Sequence, residues 1–272
     1  MKRELAAAVA IPAVLAVLFY TPAYVFDLLV AAVSVAAVLE FCRLAEKTGH
    51  PVSKTVAVAG GAAVLLDWAV FWGHAGAGAD RSGLTAAAVL VLAVGMLAAV
   101  APLFSRVEPA AALASAGSTF FAVFGIALPA TALCALRAFS PRAVLFLFLV
   151  VWGCDSFAYY TGRAIGRRPL APTVSPKKTW EGTIGGLVGA TLVGAAAGAW
   201  WILPELGPAR GAVAAALAST AGQIGDLVES LWKRGAGVKD SGLFLPGHGG
   251  FYDRIDSLLY AGPVLAAVVA LR

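Results

Sequence analysis

Apolar runs about as long as a bilayer is thick recur along this chain, and that recurrence leaves it few ways to fold. Roughly 20 residues of helix cross the hydrocarbon core of a membrane. Hydropathy places such runs at 5–21, 24–44, 56–74, 84–104, 111–135, 143–161, 180–203, 209–231 and 255–271. Composition agrees: 60% of residues are hydrophobic and 13% charged, where a soluble domain carries about 25% charged residues. The expected fold is an all-α integral membrane protein, a polytopic helical bundle of about nine transmembrane helices. Met1-Lys2-Arg3 before an apolar run resembles a signal peptide, but no small-residue cleavage site follows, so a retained helix is expected. Thr21-Pro22 turns the chain directly into the second run.

Basic residues set the orientation. With nine spans, the N-terminus and the connections after even-numbered helices share one side. Arg81, Arg137, Arg142, Arg210 and Arg272 fall on the other, leaving 15 of the 20 Lys and Arg residues on the first. That side is therefore expected to be cytoplasmic, in a cell (inner or plasma) membrane. The net charge of +5 follows largely from this topology, and no nucleic-acid partner is implied. Cys42, Cys134 and Cys154 lie in separate apolar runs without CxxC or metal spacing, and read as small buried hydrophobes.

Two regions differ in character. Residues 1–142 are Ala/Val/Leu helices with short loops, a scaffold in which Asp27 and Asp67 stand out, each beside aromatics that suit an interfacial depth. Residues 143–272 place Asp155, Tyr159, Tyr160, Glu181, Asp226, Glu229 and Ser230 in or at the ends of apolar helices. The chemistry is expected here, around cytoplasmic loops 162–179 and 233–254.

In the first loop, prolines and glycines exclude a continuous helix. Ser175-Pro176 resembles a helix start that would expose Lys177, Lys178 and first-turn amides together, an arrangement suited to anions. The alternative is an ordinary capped loop on the positive side. The second loop is harder to account for without a ligand. Asp226, Glu229, Ser230 and Lys233 are spaced i, i+3, i+4 and i+7, one helical face. Asp253 and Asp256 share a face at the start of the last helix. Folding the Gly-rich loop back would bring Asp226 towards that pair, and three converging carboxylates call for a cation. Oxygen ligands with open positions suit Mg²⁺. Pro246 to Gly250 can offer backbone N–H groups to an anion, and Lys233, Arg234, Lys239 and Arg254 add positive charge. The alternative is that Asp253 caps the last helix and the other charges are solvated.

Ser230 to Asp256, SLWKRGAGVKDSGLFLPGHGGFYDRID, resembles the hallmark segment of the phosphatidate cytidylyltransferases, the CDP-diacylglycerol synthases. The upstream stretches DSFAYYTGR (155–163), SPKKTWEG (175–182) and GQIGDLVES (222–230) resemble that family's other motifs in the same order. The likeness covers about residues 152–260; the front half matches only as a membrane-helix region. It implies attack of a phosphatidate oxygen on the α-phosphorus of CTP, giving CDP-diacylglycerol and pyrophosphate. CTP, phosphatidate and the bilayer are then the partners, Mg²⁺ the cofactor with room for a second cation, and a homodimer the assembly.

On this reading Asp226, Asp253 and Asp256 ligate the metal. Lys233, Arg234, Lys239 and Arg254, with Asp240 and His248, form the catalytic set, His248 donating to a phosphate. Ser175, Lys177, Lys178, Ser230, Gly249 and Gly250 bind substrate. Asp155 and Glu229 either ligate a second cation, orient the basic residues or join helices by hydrogen bonds. Trp180 and Trp232 stack on cytosine or anchor at the interface. Two other readings stand beside this one: a CTP-dependent lipid kinase or related lipid-phosphate cytidylyltransferase, and an ion- or proton-coupled transporter using the intramembrane acids.

Overall fold

The structure, a computed structural model, describes residues 2–68, 81–105, 107–200, 202–242 and 249–271. It is all helix apart from one short hairpin. Among the described residues, five helices are long and apolar enough to cross a membrane: Ala23–Lys47, Pro109–Phe139, Pro141–Ile165, Trp180–Ala199 and Gly207–Gly235. Shorter apolar helices cover Ala10–Tyr20 and Ala88–Phe104. The chain divides into two compact units, Met1–Ala138 with Gly235–Arg254, and Phe139–Arg234 with Ile255–Arg272.

The first unit holds α1 (Lys2–Tyr20), α2 (Ala23–Lys47), α3 (Lys54–Asp67), α4 (Arg81–Val100), α5 (Ala112–Phe121) and most of α6 (Leu128–Phe139). Pro22 stands at the start of α2 and forces the turn expected there. Between α5 and α6 the helix widens into a π-turn over Ala122–Ala127. Pro129 has no N–H for the carbonyl of Gly125, four residues earlier, and the wider turn absorbs that gap. Val64, Val94 and Val123 form a buried cluster joining α3, α4 and the π-turn, with Leu90 and Phe124 against it. Phe41 on α2 packs on Phe121 at 5.0 Å between ring centroids and meets Tyr252 edge-on at 6.3 Å.

The second unit is built from α7 (Pro141–Ile165), a hairpin, α8 (Trp180–Ala199), α9 (Gly207–Gly235) up to Arg234, and α10 (Tyr252–Ala270) from Ile255 onward. Ser140 caps α7 by accepting the Arg142 N–H at 3.2 Å, with Pro141 in the first helical position where its missing donor costs nothing. The hairpin pairs β1 (Pro169–Ala171) with β2 (Ser175–Thr179), antiparallel. This corrects the expected helix start at Ser175-Pro176. The chain there is extended, and α8 begins only at Trp180, where the Thr179 hydroxyl accepts the Gly182 N–H at 3.1 Å. Thr179 is the better cap because the prolines at 169, 172 and 176 hold the preceding chain extended.

Glycines on α8 let it lie close to its neighbours. A Cβ at Gly186 would sit 2.8 Å from the Cys154 carbonyl oxygen and 2.9 Å from the Ala158 Cβ of α7. Further along, Gly194 and Gly198 face Gly211 and Gly207 of α9. The helix thus rests on α7 with its first half and on α9 with its second, the close approach that its G-x3-G spacing anticipates. Gly186→Ala should lower the thermal midpoint in detergent, an overpacking cost of about 1–3 kcal/mol. Gly117→Ala, where nothing lies within 4 Å of the added carbon, should leave the midpoint unchanged or slightly raised.

Candidate active site

Helix geometry assembles the acidic cluster in the second unit. Asp226 and Glu229 stand three residues apart on α9, and Asp256 enters from α10. Their carboxylate oxygens lie within 4.8 Å of one another. This closeness depends on Gly225, where a Cβ would fall 2.7 Å from the Asp256 carbonyl oxygen and 2.7 Å from the Tyr260 ring. Glu229 is only 1% exposed, among the most buried polar side chains described.

Two lysines stand against the three acids. Lys178 Nζ lies 2.6 Å from Asp226 Oδ2, and Lys233 pairs with Glu229 one turn along α9. Lys177 and Lys178 are successive residues of β2, so they point to opposite faces; Lys178 turns to the cluster and Lys177 is exposed. Ser230 Oγ donates to Asp226 Oδ1 at 3.4 Å, and the Ser257 N–H donates to Asp256 Oδ1 at 2.6 Å. Asp155 on α7 is close enough to Asp226 and Lys178 to interact electrostatically with both. Arg234 Nε donates to the Val174 carbonyl at 3.1 Å, fixing the end of α9 to the hairpin. Glu181 holds the hairpin's other end, its Oε2 accepting the N–H groups of Arg167 and Arg168 at 3.0 and 3.2 Å.

A second carboxylate network lies within the first unit. Asp253 Oδ2 accepts the Ser241 N–H at 2.9 Å, the Ser241 hydroxyl at 2.8 Å and the Gly250 N–H at 2.6 Å. Glu40 of α2 accepts the Phe251 N–H at 3.1 Å on Oε1 and the Tyr252 N–H at 2.9 Å on Oε2, and the same Ser241 hydroxyl lies 2.9 Å from Oε2, its one proton shared between Glu40 and Asp253. Gly249 has φ +76°, in the left-handed region, and a Cβ there would fall 2.6 Å from Asp253 Oδ2. Gly250, expected to offer its N–H to phosphate, gives it to Asp253 in this structure.

Of the residues singled out in the sequence, the second unit therefore gathers Asp226, Asp256, Lys178, Ser230 and Lys233, together with Glu229 and Asp155. The first unit gathers Asp253, Gly249 and Gly250. Lys239, Asp240 and Arg254 are exposed there, and Ser175 opens β2 half-buried. His248 lies outside the described residues. Glu40 and Ser241 were not anticipated. The signal that could mark Glu40 is an acid inside an otherwise apolar run, the same signal that Asp27 and Asp67 carry.

The acidic trio fits a divalent cation by its donor set. Hard carboxylate oxygens gathered over 4.8 Å match the roughly 4–5 Å that separates opposite ligands of Mg²⁺ or Ca²⁺. The two lysines offset only part of three negative charges. Mn²⁺ titrated without nucleotide and followed by electron paramagnetic resonance should bind the parent protein. Asp226→Asn should weaken that binding by about 10-fold or more, while Asp67→Asn should leave it unchanged.

The model of the cytidylyltransferase family matches residues 1–272. A phosphatidate cytidylyltransferase of Brucella abortus is 42% identical over 194 residues, covering 68% of this chain and 66% of that protein. Those of Haemophilus influenzae and Pseudomonas aeruginosa are 44% identical over 133 residues and 43% over 126, covering 43% and 46% of their lengths. The matched stretch thus spans just under two thirds of the Brucella relative and less than half of the other two.

Proposed function

The chain belongs to the cytidylyltransferase family, and on that premise we propose that it converts CTP and phosphatidate to CDP-diacylglycerol and pyrophosphate. The observation that carries this reading is the trio Asp226, Glu229 and Asp256, with Lys178 and Lys233 against it, in a chain of membrane-length apolar helices. Both substrates are polyanions, and one is a membrane lipid. A site for them must supply positive charge beside acyl-chain territory, and unit two combines the two.

In the reaction, a non-bridging oxygen of the phosphatidate monoester forms a bond to the α-phosphorus of CTP. The bond from that phosphorus to the bridging oxygen of the β-phosphate breaks, and pyrophosphate leaves with the electron pair. A phosphate monoester is already largely anionic at neutral pH, so no general base is needed. The protein's task is positioning and charge neutralisation. Lys178 and Lys233 exchange their carboxylate partners for phosphate oxygens as substrate enters. Arg234 would hold further phosphate oxygens, and Lys239, Asp240, His248 and Arg254 are proposed as further members of the catalytic set. Ser175, Lys177 and Ser230 line the approach.

Asp226, Glu229 and Asp256 would hold Mg²⁺, which neutralises the charge that grows on the leaving pyrophosphate. Asp155 is placed to orient Lys178 or to share in a second cation. Asp253 is assigned to holding Ser241 and Gly250, because its Oδ2 already takes both of their N–H groups. The wider setting belongs to the same proposal: nine spans in the cell membrane, the site on the cytoplasmic side where CTP is found, and a homodimer.

Detergent-purified protein given phosphatidate, Mg²⁺ and α-phosphate-labelled CTP should move label into the lipid phase and release pyrophosphate in equal amount. Chelation with EDTA should stop it, and Asp256→Asn should slow it by about 100-fold or more. Release of CDP with no label in lipid would replace this reading with a kinase.

A further inference from the structure

We infer that Glu40 is a positioning residue for nucleotidyl transfer, acting from a helix outside the motif-bearing region by fixing the first turn of α10. The inference rests on the function proposed above. Four observations within the first unit carry it. Glu40 is 5% exposed, in a 25-residue helix otherwise apolar around it. Its two oxygens take the Phe251 and Tyr252 N–H groups, and Oε2 shares the single Ser241 hydroxyl proton with Asp253. Ser241 also reaches Asp253, so the hydroxyl stands between two carboxylates. Gly242 and Gly250 both press on the Glu40 carboxylate, leaving no room for a side chain at either position.

The first N–H groups of a helix have no partner within it. At α10, Glu40 supplies that partner from another helix, and its charge opposes the positive end of the helix dipole. An acid this buried is costly unless its hydrogen bonds are complete, so Glu40 and the loop backbone fix one another. What they fix matters for the chemistry. Asp256 follows Tyr252 by one turn on the same helix, so the register and tilt of that first turn set where the Asp256 carboxylate points. Two of the motif's glycines are explained as space for Glu40 and need no phosphate.

The test compares Glu40→Gln, Ser241→Ala and, as a control on the same helix, Glu46→Gln, whose parent side chain makes a surface ion pair with Lys54 at 2.9 Å. Each variant is first shown to be monodisperse in detergent. Two readouts are taken: the Mg²⁺ dependence of CDP-diacylglycerol formation, and hydrogen exchange of amides 249–256 without substrate. Glu40→Gln should cut activity at fixed Mg²⁺ by about 10- to 100-fold with a raised Mg²⁺ half-saturation, and speed exchange at 251 and 252. Ser241→Ala should do the same more weakly, and Glu46→Gln should do neither. A folded Glu40→Gln protein with the parent's Mg²⁺ dependence and the parent's exchange overturns the inference. Faster exchange with unchanged kinetics also overturns it, leaving a purely structural cap. If the parent itself makes no labelled lipid, the function reading fails, and the exchange data alone decide whether Glu40 holds α10.

Discussion

Three carboxylates held close together in an apolar protein dominate the energetics of the second unit. With oxygens no more than 4.8 Å apart, each ionised pair repels by at least about 3 kcal/mol at an effective dielectric of about 20. Nothing in helix packing demands such an arrangement. It stands because Lys178 and Lys233 each hold one acid, and much of the local architecture serves that balance. The hairpin's register turns Lys178 inward and Lys177 outward. Arg234 and Glu181 fix the hairpin at both ends. Gly225 lets α10 come near enough for Asp256 to join.

The two carboxylate networks are compensated in different ways. Asp226 and Glu229 face ammonium groups on flexible stems, partners able to turn to another anion. Glu40 and Asp253 face backbone N–H groups, partners that cannot leave without moving the chain, and share one hydroxyl between them. The exchangeable set suits ligand binding. The fixed set suits holding Ser241, Gly250 and the start of α10 in one conformation.

Much of this was legible in the sequence. Among the described residues a helix lies in each apolar run from 24–44 to 255–271, five of them long and apolar enough to cross a membrane. Asp226, Glu229 and Lys233 could be placed on one face from their spacing alone. The hairpin is not legible in the sequence because Ser-Pro before a helical run also opens a strand, and only pairing with Pro169–Ala171 decides between them. Glu40 was missed because its partners lie some 200 positions away, the Ser241 contact spanning 201 residues. Periodicity carries no information over that separation. Asp253 takes its contacts from Gly250 and Ser241, the first within the reach of local capping patterns and the second 12 residues away.

The central claim is that Asp226, Glu229 and Asp256 hold the divalent cation on which nucleotidyl transfer depends. A metal-specificity switch tests it most directly: replace Asp226 with cysteine and assay label transfer with Mg²⁺, then with Cd²⁺, alongside the parent protein. A thiolate is a poor ligand for Mg²⁺ and a good one for softer ions. The account predicts that Asp226→Cys is nearly inactive with Mg²⁺ and regains activity with Cd²⁺ beyond any effect of Cd²⁺ on the parent. Equal activity with both metals, or loss that Cd²⁺ does not relieve while Mg²⁺ still binds as in the parent, would contradict it.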